Sequence, residues 1–148
     1  MKKTISHLVL GKIVNKTVVD KPFQDVLEAV KKSIEANDFK ISVLHNNKEV
    51  FQKNNLPVDP DFEFSIIQFC NAPKAHMAIT KLSHDVGIMM PKSIVVSREN
   101  GKTSIRFMQM KPWMVGWMFP EVNLIPLSTK VMAAMRKIVK DAVADLEK

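Results

Sequence analysis

Phe69-Cys70-Asn71-Ala72-Pro73-Lys74-Ala75-His76-Met77-Ala78-Ile79, followed shortly by Gly87-Ile88-Met89-Met90-Pro91-Lys92-Ser93-Ile94-Val95-Val96, decides how this chain folds. The first segment predicts a strand ending at Cys70 and a helix opening at once: Asn71 is a good N-cap, Pro73 suits a first turn, and Ala75, Ala78, Ile79 and Leu82 continue it. The second stops that helix near Ser83 to Gly87 and starts a β-branched strand. Together they set the only cysteine at a helix amino end.

Upstream, Phe62 to Cys70 predicts the third strand, with Phe62, Phe64 and Ile66 alternating against Glu63 and Ser65. Ile66-Ile67 and Gln68-Phe69 blur that parity. A bulge and burial on both faces both fit, and the pattern leaves the direction of Cys70 open. Before it, Lys12 to Val19 predicts a strand, with Asp20 capping a helix whose Phe23, Val26, Leu27, Val30 and Ile34 form one apolar stripe. Asn37 stops that helix and Phe39 to Leu44 is the second strand. His45 to Pro60 predicts a loop with one helical turn at Lys48 to Lys53.

Downstream, Ser93 to Ser97 and Thr103 to Gln109 flank Glu99-Asn100-Gly101-Lys102, a tight hairpin in which Asn-Gly supplies positive φ angles. Lys111 to Pro126 is apolar, but Pro112, Gly116, Pro120 and Pro126 predict an irregular segment. Ser128 is expected to cap a last helix carrying Val131, Met135, Ile138, Ala142 and Leu146 on one face. This order predicts an α+β two-layer sandwich: a mainly antiparallel sheet of about five strands, with helices on one face. One domain is expected over 1–148, its core spanning about 12–147.

At 148 residues, 46% hydrophobic and 25% charged, the chain has an ordinary globular composition. The apolar run Ile5 to Leu10 is short, carries His7 and meets Lys12 without a small-residue cleavage site, which argues against a signal peptide. No run approaches the roughly 20 residues that cross a bilayer. A single cysteine makes no internal disulfide and suits a reducing compartment, so the expected location is cytoplasmic. The net charge of +7 comes mainly from dispersed lysines, and with Arg98, Arg106 and Arg136 the only arginines, specific nucleic-acid binding is not expected.

The two opening segments resemble the domain of unknown function 302 family, and the resemblance extends from about Lys12 to Leu146. Lys21-Pro22-Phe23 resembles the family's entry into its first helix, Asn37-Asp38-Phe39-Lys40-Ile41 its turn into the second strand, and Met110-Lys111-Pro112-Trp113-Met114 its motif after the hairpin. The resemblance implies a compact two-layer α/β domain and a homodimer, and no known reaction. Two departures stand out. The common Cys-Asn-Pro is here Cys70-Asn71-Ala72, with proline one later, and Lys92 occupies the place of a second cysteine found in many members. That substitution speaks against a dithiol or two-thiolate metal site.

The candidate ligand site is Cys70, Asn71, His76 and Lys92. A thiol at a helix amino end is favoured as thiolate, with Lys92 adding positive charge, and such a group suits a small apolar or thiol-reactive ligand, a sulfur-carrier role or haem ligation. The plainer alternative is that Cys70 is a small buried hydrophobe and His76 a helix-flank histidine. His7, His45 and His84 lack the spacing of a zinc motif, no metal is expected, and no cofactor is identified. The methionines mostly read as core filling. Asp59, Asp61 and Glu63 suggest a solvated strand face. Without a glycine-rich phosphate loop or a serine nucleophile elbow, enzymatic chemistry has little support. The alternative function is a dimeric, non-catalytic interaction module docking through Trp113 to Ile125, with Trp113, Met114, Trp117, Met118 and Phe119 as interface.

Overall fold

The computed structural model describes residues 13–148; the Ile5 to Leu10 run, His7 and Lys12 lie outside them. Five strands, β1 (Val14–Val19), β2 (Lys40–Asn46), β3 (Glu63–Cys70), β4 (Lys92–Glu99) and β5 (Lys102–Met108), form one sheet in the order β1-β5-β4-β3-β2. Every neighbouring pair is antiparallel. Strands β2 to β5 follow one another as a meander, while β1 lies at the far edge beside β5. Helix α1 (Phe23–Ala36) therefore carries the chain from one edge of the sheet to the other.

Helix α1 and the long closing helix α5 (Ile125–Leu146) cover one face. Val26, Val30 and Ile34 of α1 and Ile138 and Ala142 of α5 are fully buried against Ile67, Ile94, Val96 and Ile105 of the sheet. Burying each of these larger aliphatic side chains contributes roughly 1.5–3 kcal/mol. The Ser33 hydroxyl donates to the Ile138 carbonyl at 2.6 Å, tying the two helices together where both backbones are buried. Phe39 meets Phe69 edge to face, with centroids 5.2 Å apart. Helix α2 (Asn47–Lys53) extends the expected single turn at Lys48 to Lys53 and packs through Phe51 on Phe62, which stacks on Phe64.

The ambiguous parity of the third strand resolves in an unexpected place. Strand β3 alternates regularly, with Ser65, Ile67 and Phe69 buried, and the irregularity sits in its partner, where the register shifts between Ile41 and Val43 of β2. The intervening Ser42 donates its hydroxyl to the Gln68 carbonyl at 3.1 Å. At the hairpin, Asn100 (φ 53°) and Gly101 (φ 75°) take the left-handed angles that their types favour. The acidic cluster is not a simple solvated face: Asp61 accepts from Arg98 Nε at 2.7 Å and from the Gly101 amide at 3.2 Å, clasping the hairpin, and Glu63 pairs with Lys48 at 3.0 Å.

Two helix starts differ from expectation. Pro22, not Asp20, precedes α1, and no side chain caps it; instead Thr103 donates its hydroxyl to the Lys21 carbonyl at 2.9 Å, fixing the approach. Helix α5 begins at Ile125 rather than beyond Ser128. Pro126 lies in its first turn, where a missing N–H breaks no hydrogen bond, so a residue that reads as a breaker is a starter. Ser128 is already helical, donating its amide to the Leu124 carbonyl at 2.8 Å.

The segment expected to be irregular also acquires order. Pro112–Met118 is a short helix, α4, again with proline in its first turn. Its Val115, with Ala78, Val86, Phe119 and Leu124, makes a second, smaller core beside the main one. After β3 the chain runs through helix α3 (Ala72–Met77), and the segments that follow it, a π-helical turn (Ala78–Leu82) and a 3₁₀ helix (His84–Met89), give that core Ala78, Leu82, Val86 and Met89.

Candidate functional site

The two cores do not merge completely. At their seam lies an apolar cavity of about 70 Å³ whose lining includes Met89, Met90, Met108, Met110 and Met132. Val86, Val115 and Leu124 of the small core, Leu127, Ser128 and Val131 of α5, and Lys92 complete it. Five unbranched, polarizable thioethers make such a wall adaptable, because each has several rotatable bonds. A second cavity of about 50 Å³ adjoins the first through shared Met90, Lys92, Leu127 and Val131, and reaches Phe39, Phe69, Cys70, Asn71, Lys74 and Ala75. Lys92 stands where the two meet.

Sheet geometry explains this position. Lys92 opens β4 and pairs with Phe69 of β3, and two and four residues on, Ile94 and Val96 are fully buried. Period-two alternation therefore assigns Lys92 to the helix-covered face, among apolar neighbours. Its ammonium has no hydrogen bond or ion pair with any described residue. Burial disfavours the charged form and pushes its pKa below the usual 10.5. Among the described residues, no carboxylate lines either cavity.

Three of the four residues selected from the sequence, Cys70, Asn71 and Lys92, line the smaller cavity; the exposed His76 does not. Asn71 is the N-cap of α3 as expected, its Oδ1 accepting from the Lys74 amide at 3.0 Å. It does more: its Nδ2 donates to the Asp38 carbonyl at 2.9 Å, holding the left-handed turn (φ 67°) between α1 and β2. Cys70 is half-buried. Following Phe69 in β3, it belongs by alternation to the opposite face and meets the cavity at the sheet's end. His76 projects from α3, and its carbonyl accepts from the Thr80 hydroxyl at 2.7 Å.

Sequence reasoning missed Ser128, the hydroxyl in the methionine-rich lining, because it was assigned to a helix cap. It also treated the methionines singly. Met89-Met90 just before β4 and Met108 and Met110 at the end of β5 are two sets brought to the same end of adjacent strands, and only that pairing reveals a common wall.

Among the expected interface residues, Met114 and Phe119 are corrected: both are buried within the protein, so neither reaches a partner. Helix α4 has a face pattern after all. Trp113 and Trp117, four apart, point outward with Met118, while Met114, Val115 and Phe119 pack inward. Trp117 is 80% exposed, and Ile88 of the 3₁₀ helix is 78% exposed.

Among the described residues no group of three His, Cys, Asp or Glu side chains is placed to hold a metal ion. Cofactor-sized ligands generally occupy about 300–1,000 Å³. The space at Cys70, about 50 Å³, is smaller than that. No described helix is long and apolar enough to cross a membrane.

Fold and site together define a small two-layer α+β domain with a lysine-bearing apolar seam between two cores. The family model described as "Domain of unknown function DUF302" matches residues 14–142, and the chain belongs to that family. It is similar, at 20% identity and a TM-score of 0.75, to the crystal structure of an uncharacterized conserved DUF302 protein from Bacillus stearothermophilus, with 88% of this chain and 98% of that one covered. That likeness establishes the shared fold. No curated protein matches.

Proposed function

We propose that the protein binds a small, largely apolar molecule in the seam cavity, with Lys92 as the polar contact and Cys70 and Asn71 at the rim. The observation that carries this reading is Lys92 itself. A lysine partly withdrawn from water, with no counter-ion among the described residues, between two apolar spaces is costly for stability alone, and a ligand's polar end gives it a partner. In this reading Asn71 holds the rim in shape, and Cys70 is an accessory contact whose thiol chemistry depends on the molecule bound. A cytoplasmic setting, which keeps a lone thiol reduced, belongs to the same proposal.

Xenon, which enters dry apolar cavities, tests the space directly. Crystals under xenon pressure are expected to show an atom among Met89, Met110, Val131 and Met132, and Val131→Phe is expected to displace it. Xenon found only elsewhere contradicts the proposal.

Exposure of Trp113, Trp117 and Met118 favours a second reading, a homodimer formed through this outward face of α4. Light scattering on wild type and Trp117→Asp decides it. A dimer that the substitution converts to monomer supports this contact, and a state unchanged by it rejects the contact.

A further inference from the structure

We propose that Lys92 captures a small apolar aldehyde as an imine, so that the ligand class of the seam cavity is a short branched or linear carbonyl compound. This rests on the cavity-binding reading above and adds covalent chemistry to it. The argument is geometric first. Lys92 lies at the junction of two adjoining cavities, so a carbonyl carbon delivered through either space meets the same amine. Methionine, leucine and valine side chains around it accept an alkyl tail. Among the described residues, the other titratable groups lining the two spaces are Cys70 and Lys74, and none is a carboxylate that could hold the amine as a salt bridge.

The free-base amine is the nucleophile in this reaction, and burial enlarges its share at neutral pH. The nitrogen lone pair forms the C–N bond while the carbonyl π pair moves to oxygen. Proton transfer from nitrogen to oxygen gives a neutral carbinolamine. Loss of hydroxide with a proton, as one water molecule, then leaves C=N. The sum is amine plus aldehyde giving imine plus water, with no change in oxidation state. Ser128 is the hydroxyl lining the larger cavity and is suited to relaying the proton. Water expelled from the apolar space is disfavoured from returning, which protects the imine against hydrolysis.

The probe is 2-methylpropanal, added to the full chain at pH 7.5 with cyanoborohydride, which reduces imines to stable amines. Peptide mass spectrometry is expected to find Lys92 alkylated severalfold faster than the surface lysines, because burial lowers its pKa and leaves more of it as free amine. Lys92→Met and Lys92→Arg are both expected to abolish that fast adduct while leaving the circular dichroism spectrum unchanged. Alkylation spread over lysines according to exposure, with Lys92 no faster, overturns the proposal. The alcohol 2-methylpropan-1-ol, which forms no imine, separates the two ideas by thermal shift. If it stabilises wild type but not Val131→Phe while the aldehyde leaves Lys92 unmodified, the cavity reading stands and the imine falls. If neither compound binds, both fall.

Discussion

Lys92 is the residue on which structure and chemistry converge, and its burial has a thermodynamic consequence. Its folded-state pKa lies below the ordinary 10.5. Between the two values the unfolded chain holds a proton that the folded chain has released, so this residue makes stability rise with pH through that window. Below the window both states are protonated and the cost of burying the charge is borne in full. Lys92→Met removes the charge while keeping a flexible apolar side chain. At pH 7 it is expected to stabilise the protein and raise its Tm, because the cost of holding a charge away from water is removed. The gain over wild type should shrink as pH approaches 10.5. Calorimetry across that range checks both points, and a variant no more stable at pH 7 contradicts them. The sequence linked Lys92 to Cys70 only through the family resemblance; its core-facing side was not legible, because Ile94-Val95-Val96 is a continuous β-branched run, and burial of Ile94 and Val96 in the structure assigns it. The direction of Cys70 was not legible either, because β3 buries the polar Ser65 on its core face and carries Phe64 and Ile66 on the other, so its apolar pattern does not mark one face.

At the scale of elements, Asn71 joins two of them. It caps α3 through Oδ1 and braces the Asp38 turn through Nδ2. Asn71→Ala loses both hydrogen bonds and is expected to cost about 1–2 kcal/mol. Asn71→Asp keeps the capping acceptor, loses the donor, and should cost clearly less; chemical denaturation at constant m-value measures the difference. Equal costs for the two variants would show that the cap contributes nothing. Capping and hairpin signals such as Asn71 and Asn100-Gly101 are readable because they depend on a residue's own backbone preferences. Prolines in Lys111 to Pro126 misled for the converse reason. A proline forbids a helix interior but permits its first turn, and which applies depends on the small core onto which α4 and the start of α5 fold. Thr103 anchoring Lys21 and Asp61 clasping the hairpin are likewise products of distant pairing.

At the scale of the whole molecule, strand and helix order was sufficient to read the two-layer architecture, whereas the seam between two cores was not. A void arises from what distant surfaces fail to fill. It requires α4, the 3₁₀ helix and α5 to meet the ends of β4 and β5 at once, and no local pattern records that. The ten methionines provide internal reporters of it. With methyl-¹³C methionine, titration by 2-methylpropan-1-ol is expected to move the resonances of Met89, Met90, Met110 and Met132 together, along one saturable curve. Met77 and Met118, exposed outside the cavity, should stay still. Shifts confined to Met118 and Met77, or no saturable shift at the four cavity methionines, would contradict the central claim that this seam is a binding site.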